Sequence, residues 1–194
     1  MNNKMLLIDT ETGGLDASRH SILSISALVL NYEGTVVDGM YTLVNEGASV
    51  IAEKSALPIN GLTMTTVQEL GVSPVRAVAL LYDLLWRQGM THGVVVVAHN
   101  VRFDFAFLQR LFREANIDAM TFEALFSHRT ICTQAGAGLL MQAGVIKPES
   151  TSLASLCQYF GVALPREDGH NARTDALATA EVFRHLLQRC REGL

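Results

Sequence analysis

The sequence has no cysteine pair close enough to clip a metal or a short loop, and no long hydrophobic run. Cys132, Cys157 and Cys190 are odd in number, widely spaced and in no Cys-x-x-Cys arrangement. That excludes a disulfide framework or zinc knuckle and points to reduced thiols in a cytoplasmic protein. The longest apolar stretches, such as the one around Val94 to Val97, are too short to span a bilayer, so no membrane partner is expected. A signal peptide's basic start, apolar stretch and small-residue site are missing from the N-terminus. Charge is scarce as well, at 18% of residues, with only Lys4, Lys54 and Lys147 as lysines and a net charge of −4. A generic polyanion-binding surface is thereby excluded, and any nucleic-acid contact must rest on a local site. Repeats, low-complexity tracts and linkers are absent too.

What is present is apolar: 49% of the 194 residues are hydrophobic, enough for one folded domain spanning residues 1–194. The first 45 residues read as three strands, at 4–9, 22–32 and 35–44, with Glu33-Gly34 as a tight hairpin. Ser73-Pro74 reads as a cap and first-turn proline. Behind it Val75, Val78, Tyr82 and Leu85 recur at helical spacing, and Gly89 lies near the end. Residues 93–98 form a β-branched run with no polar alternation, which predicts a central strand. A helix from about Phe103 follows, with Leu108, Leu111 and Ala115 on one face. After it come a short strand near 130–132 and two helices, one marked by Ser152, Leu153, Leu156, Tyr159 and Phe160. The last helix runs over about 172–191 with a stripe of Ala176, Ala180, Phe183, Leu187 and Cys190. The order, hairpin strands first and strand–helix units afterwards, is that of an α/β domain.

Asp9 and Glu11 end the first apolar run in Asp-Thr-Glu-Thr-Gly-Gly. Strand side chains alternate, so residues two apart share a face. Like charges that close raise one another's pKa or demand a counter-charge. A divalent cation such as Mg²⁺, Mn²⁺ or Ca²⁺ suits hard oxygen ligands. The pair alone also fits a strand end with two acids turned into solvent. Three other segments place polar groups where a core has no need of them. His99 to Phe105 puts Asp104 in the first turn of a helix, a position that capping alone also explains. Residues 168–175 carry His170 on a loop free to move, Asn171 as an N-cap, and Asp175 one turn into the final helix. Ile59-Asn60-Gly61-Leu62-Thr63 reads on its own as a helix stop. His20, His92, His128 and His185 read as surface or satisfied core residues.

The order Asp9-x-Glu11, then Asp104, then His170 with Asp175 resembles the DEDD exonuclease superfamily in its histidine-bearing branch (DEDDh, DnaQ-like). The likeness runs from about residue 4 to 190. Asp-Thr-Glu-Thr-Gly-Gly-Leu is similar to the first exonuclease motif, Val-Ala-His-Asn-Val-Arg-Phe-Asp to the second, and His-Asn-Ala-Arg-Thr-Asp-Ala to the third. Two positions depart from the pattern. Asn60 stands where many relatives carry histidine, and Ser24 where a glutamate is common on the second strand.

The resemblance implies a ribonuclease-H-like exonuclease fold, a mixed five-stranded sheet flanked by helices. It implies metal-dependent 3′–5′ hydrolysis of single-stranded nucleic acid, DNA favoured, releasing nucleoside 5′-monophosphates. Two Mg²⁺ or Mn²⁺ ions about 3.5–4 Å apart would clamp the attacking and leaving oxygens. Asp9 would bridge both ions, with Glu11, Asp104 and Asp175 completing their shells. His170 would take the proton from the attacking water, a role suited to imidazole. Thr10, Thr12, Leu15, Asn60 and Phe103 are the substrate-binding candidates, Leu15 as a wedge against the terminal base. Arg102 and Arg173 adjoin the motifs as candidate phosphate contacts.

The implied partner is a single-stranded 3′ end. Family members include polymerase-bound proofreaders and standalone repair enzymes, so a polymerase partner stays open, as does a homodimer through residues 118–150. The alternative is an exoribonuclease of the ribonuclease T or oligoribonuclease type, because 2′-hydroxyl contacts cannot be read from sequence. A non-catalytic nucleic-acid-binding module should have lost an acid or the histidine, and all five are present. A haloacid-dehalogenase-type phosphatase would have aspartate at the second acid, where this chain has Glu11.

Overall fold

The computed structural model describes residues 4–165 and 169–192, which leaves Asp168 of the third motif outside the described residues. Five strands form one sheet: β1 (Met5–Thr12), β2 (Ile22–Leu30), β3 (Val36–Leu43), β4 (Val94–Ala98) and β5 (Phe126–Cys132), in the order β3-β2-β1-β4-β5. β1 and β2 pair antiparallel over nearly their whole length, as do β2 and β3, while β4 runs parallel to both β1 and β5. The unbroken apolar run at 94–97 thus marks a central strand, as its lack of alternation predicts.

Eight α-helices and a short 3-10 helix (Gly47–Ser49) complete the described chain: α1 (Ala56–Asn60), α2 (Met64–Leu70), α3 (Pro74–Arg87), α4 (Val101–Glu114), α5 (Ala119–Leu125), α6 (Thr133–Gln142), α7 (Leu153–Phe160) and α8 (Ala172–Glu192). Leu6, Ile8, Ile25, Val29 and Val96 face α3 and α4, meeting Leu81, Leu84, Leu108 and Leu111 in the larger core. Leu7, Leu28, Leu30 and Val97 face the other way, onto Ala176, Ala180 and Phe183 of α8. The alanines let this helix lie close on the sheet. Its outer side carries Ala178, Val182 and Leu186, which bury α6 and α7 through Ala137, Leu156 and Cys157.

Several local expectations need correction. β1 runs through Thr12 instead of stopping at Asp9, and β5 begins at Phe126. The hairpin after β2 closes at Asn31–Thr35, leaving three residues in the loop instead of a two-residue turn. Gly34 takes a positive φ of 84° there, as such loops require. α4 starts two residues before Phe103, because Asn100 adopts a left-handed φ of 68° that turns the chain straight from β4 into the helix. Val75 is exposed although it shares the spacing of buried Val78 and Leu85, and Cys190 is exposed at the end of the α8 stripe. The short helices α2 and α5 were not foreseen, being too brief to show periodicity, whereas the helix stop read at 59–63 is the end of α1, where Gly61 is left-handed. Within segment 118–150 Phe122, Leu125, Phe126, Ala137 and Ile146 are buried in the core, while Met120, Leu139 and Val145 are exposed. The three cysteines are free thiols, and no described helix is long and apolar enough to cross a membrane.

One buried ion pair ties the loops together. Arg110 of α4 donates through Nε and Nη2 to the two carboxylate oxygens of Glu46, at 3.0 and 2.6 Å. The Ser21 hydroxyl and Ile22 amide also donate to Glu46, and Arg110 Nη1 reaches the Ala17 carbonyl at 3.3 Å. Both side chains are almost fully buried. Removing one partner leaves an uncompensated charge inside, so Arg110→Ala should cost about 3–5 kcal/mol in urea denaturation. A loss near that of an exposed pair, under about 1 kcal/mol, would show that the pair is not a strut.

Candidate active site

The site is built where the buried stripe of a strand and the buried stripe of a helix run out together. Leu7, Asp9 and Glu11 share one face of β1, and Leu7 packs under Ala176, Ala180 and Phe183. Asp175 lies just before Ala176 in the first turn of α8, so the helix start sits over the end of the strand. One carboxylate oxygen each from Asp9, Glu11 and Asp175 falls within 4.8 Å of the others. Glu11 and Asp175 are buried. Three carboxylates this close, drawn from water, repel one another unless a cation or protons intervene. Their hard oxygens at this spacing suit a small divalent cation, which magnesium exemplifies with ligand distances of about 2.0–2.1 Å.

Asp104 joins from the other side. β1 pairs with β4 only at Leu6 and Leu7, so its later residues run past the end of β4. The first turn of α4 fills that edge. Asp104 Oδ1 accepts from the Thr10 amide at 3.0 Å and from the Thr10 hydroxyl at 2.9 Å. The carboxylate therefore stands in for the missing strand neighbour. Burial pushes its pKa up to about 7, while the two Thr10 bonds pull the other way. Among the described residues Asp104 is not part of the three-acid cluster, yet it lines the same open cavity of about 440 Å³.

His170 completes the arrangement. Its Nδ1 lies 3.1 Å from Asp175 Oδ2, so an ionised Asp175 holds Nδ1–H and leaves Nε2 to accept a proton. The imidazole is half-exposed. Its backbone is tied down, because the His170 amide donates to the Ile59 carbonyl at 2.7 Å. Gly169 makes this approach feasible: its φ is +86°, and a Cβ there would meet the Ile59 oxygen at 2.8 Å. Asn171 accepts from the Arg173 and Thr174 amides, as an N-cap should.

The substrate candidates divide by placement. Phe103 lines the cavity and packs on Phe107, while Phe105 turns inward onto Phe122. Leu15 is 85% exposed on the loop after β1. Thr10 is occupied in holding Asp104, and the Thr12 hydroxyl donates to the Gly14 carbonyl. Buried Asn60 donates to the Thr12 carbonyl at 2.9 Å, so its amide braces the first-motif loop from α1. Arg102 is exposed on α4, and Arg173 lines a separate groove. His99, Gln134, Ser152, Leu153 and Ala154 also wall the cavity. Gln134 and the start of α7 went unforeseen; Ser152 signals a helix cap, and nothing nearby signals a site. His99 is anchored to the Thr133 hydroxyl at 2.9 Å, and burial lowers its pKa.

These ionisations set a stability trend. Asp104 holds its proton more tightly folded than unfolded, so the folded state binds more protons between the ordinary carboxylate range and about pH 7. Its contribution to stability falls as pH rises through that window. In EDTA, the melting temperature should decline from pH 5 to 7.5, and Asp104→Asn should flatten the decline. Mn²⁺ at pH 7.5 should restore what was lost, by binding only the folded state. A variant whose pH trend matches the parent's would contradict this assignment.

Comparison with known proteins places the chain among exonucleases. Residues 6–183 match the family model RNase_T, described as exonuclease. Ribonuclease T of Shewanella denitrificans is 27% identical over 197 residues, covering 95% of this chain and 80% of that protein. The crystal structure of E. coli exonuclease I in complex with a dT13 oligonucleotide superposes with a TM-score of 0.82 at 17% identity. That match covers 98% of this chain and 42% of exonuclease I, so the chain spans less than half of that protein. A zinc-bound E. coli exonuclease I–ssDNA complex has a TM-score of 0.81, 17% identity and the same coverage of both chains. These likenesses bear out the mixed five-stranded, ribonuclease-H-like exonuclease fold. With nearly its whole length inside the family model, the chain belongs to the exonuclease family.

Proposed function

We propose that this exonuclease removes nucleotides from the 3′ end of single-stranded DNA by divalent-cation-dependent hydrolysis. The observation that carries the reading is the three-acid cluster of Asp9, Glu11 and Asp175 with His170 hydrogen-bonded to its third member. Asp9, Glu11 and Asp175, with Asp104 on the facing wall, would hold two Mg²⁺ or Mn²⁺ ions. When bound, such ions neutralise charge on the phosphate and lower the pKa of water. The residues themselves orient and transfer. His170 Nε2 accepts a proton from the water that attacks phosphorus, while Asp175 keeps the imidazole turned toward it. The new oxygen–phosphorus bond forms as the bond to the departing 3′-oxygen breaks. That oxygen regains a proton, and a nucleoside 5′-monophosphate leaves. Phe103 and Leu15 offer apolar surface to the terminal nucleotide, a contact largely blind to base identity.

A second reading, 3′–5′ exoribonuclease, is favoured by the similarity to ribonuclease T. A digestion panel separates them: single-stranded DNA labelled at either end, duplex DNA and short RNA, with Mg²⁺ or Mn²⁺. The 3′-labelled single strand should release labelled mononucleotide first, and DNA should be degraded faster than RNA. His170→Ala should slow turnover by about 10²–10⁴-fold with folding intact. Asp9→Ala should abolish it. Wild-type turnover in either variant would sink the mechanism, and faster RNA digestion would install the second reading.

A further inference from the structure

Beside the catalytic cavity lies a second groove, of about 390 Å³, between the β2–β3 face and the first turns of α8. Its walls include Ser26, Leu28, Gly39, Tyr41, Arg173 and Leu177. Register places it next to the metal-binding acids. Asp9 pairs across with Ser26, which pairs with Tyr41; Glu11 pairs with Ser24. The row from Asp9 to Tyr41 therefore crosses two strand spacings, roughly 10 Å, on a single face of the sheet.

The chemistry of the groove is not that of a packing defect. β2 is buried from end to end, and its only polar residues are Ser24 and Ser26. Both are fully buried; the Ser24 hydroxyl lies within hydrogen-bond reach of the Tyr41 phenol, and the Ser26 hydroxyl closes no hydrogen bond. In place of Ser26 alanine would serve packing better, because a buried hydroxyl without a partner is costly. Across from them the half-buried Tyr41 phenol lies within electrostatic reach of both Glu11 and Arg173. Burial raises the Tyr41 pKa, which keeps the phenol protonated and able to donate. The Arg173 side chain is exposed and makes no ion pair among the described residues. Gly39 keeps the floor open: a Cβ there would come within 2.7 Å of Leu28 Cδ2. Leu28 and Leu177 add apolar walls. A planar cation, a hydroxyl donor and an apolar floor together match a phosphate with its attached sugar.

We propose that this groove binds a nucleotide phosphate next to the scissile bond, with Arg173 supplying the charge and the Tyr41 phenol the hydroxyl donor. The inference rests on the exonuclease reading above. Two sources share the chemistry: the phosphate of the neighbouring nucleotide in the strand, and that of the released mononucleotide. It also gives Ser24 a context. Where relatives commonly carry a glutamate, a neutral hydroxyl avoids placing another negative charge beside an incoming phosphate.

The test measures binding of fluorescein-labelled oligothymidylate by anisotropy across a salt series, with Ca²⁺ in place of Mg²⁺, and binding of dTMP by competition. Arg173→Gln should raise the oligonucleotide Kd by about three- to tenfold. It should also flatten the salt slope by about 0.7, the loss of one phosphate contact on a single strand. Arg173→Lys should recover the slope, and Tyr41→Phe should weaken binding without changing it. Equal weakening toward dTMP places the released phosphate in the groove; weakening toward the oligonucleotide alone places the neighbouring one there. Unchanged affinity and slope for both ligands in Arg173→Gln overturn the proposal. Digestion of the same oligonucleotide by the parent protein in Mg²⁺ is measured alongside. Failure there strikes the exonuclease reading, whereas a parent that digests beside an unaffected Arg173→Gln strikes only the groove.

Discussion

The mutual repulsion of Asp9, Glu11 and Asp175 is the constraint around which the rest of the molecule is arranged. A fold selected for stability alone would not bring three carboxylates together and bury two of them. They are held there by apolar stripes that have already committed the strand and the helix to one another. Leu7 binds β1 to Ala176, Ala180 and Phe183; Asp9 follows Leu7 on the same strand face, and Asp175 directly precedes Ala176. The core thus forces the acids into proximity, where a bound cation would relieve the repulsion. Stability and function meet at a boundary one residue wide on each element.

The second half of the arrangement comes from topology. Because β4 ends early, β1 has a free edge beyond Leu7, and the first turn of α4 covers it. Asp104 satisfies the Thr10 amide that a longer β4 would have taken. The same helix carries Arg110, which locks the loops after β1 and β3 through Glu46 and the Ala17 carbonyl. One helix therefore sets both the fourth acid and the entrance loops. The third motif is fastened separately, by the His170 amide on the Ile59 carbonyl, and Asn60 beside it braces the first-motif loop.

Much of this was legible in the sequence because its signals are local and periodic. The pairing of Asp9 with Glu11 on one face follows from a period of two, and the burial of Asp175 from its place beside the α8 stripe. The Ser73-Pro74 cap and the β-branched β4 were equally plain. What escaped depends on long-range geometry. Nothing near Thr10 says that its amide will meet a carboxylate 94 residues away. Nor does the sequence around Ser152 reveal that α7 starts at the cavity wall. Asn60 is a substrate-contact candidate in the sequence, and its bracing of the first-motif loop is visible only once the folded chain brings α1 under Thr12. Ser24 looked like a mere departure from a family pattern, and Ser26 beside it like an ordinary strand residue. Their neighbours lie on β3 and α8, which sequence spacing does not connect to them.

The most direct measurement is a crystal structure of the protein soaked in Mn²⁺, with data collected at the manganese absorption edge. Anomalous density is expected among the carboxylates of Asp9, Glu11 and Asp175, within coordination distance of all three. A second peak is expected toward Asp104 once a mononucleotide is bound. Manganese absent from that cluster at saturating concentration, with the four carboxylates well ordered, would contradict the metal site.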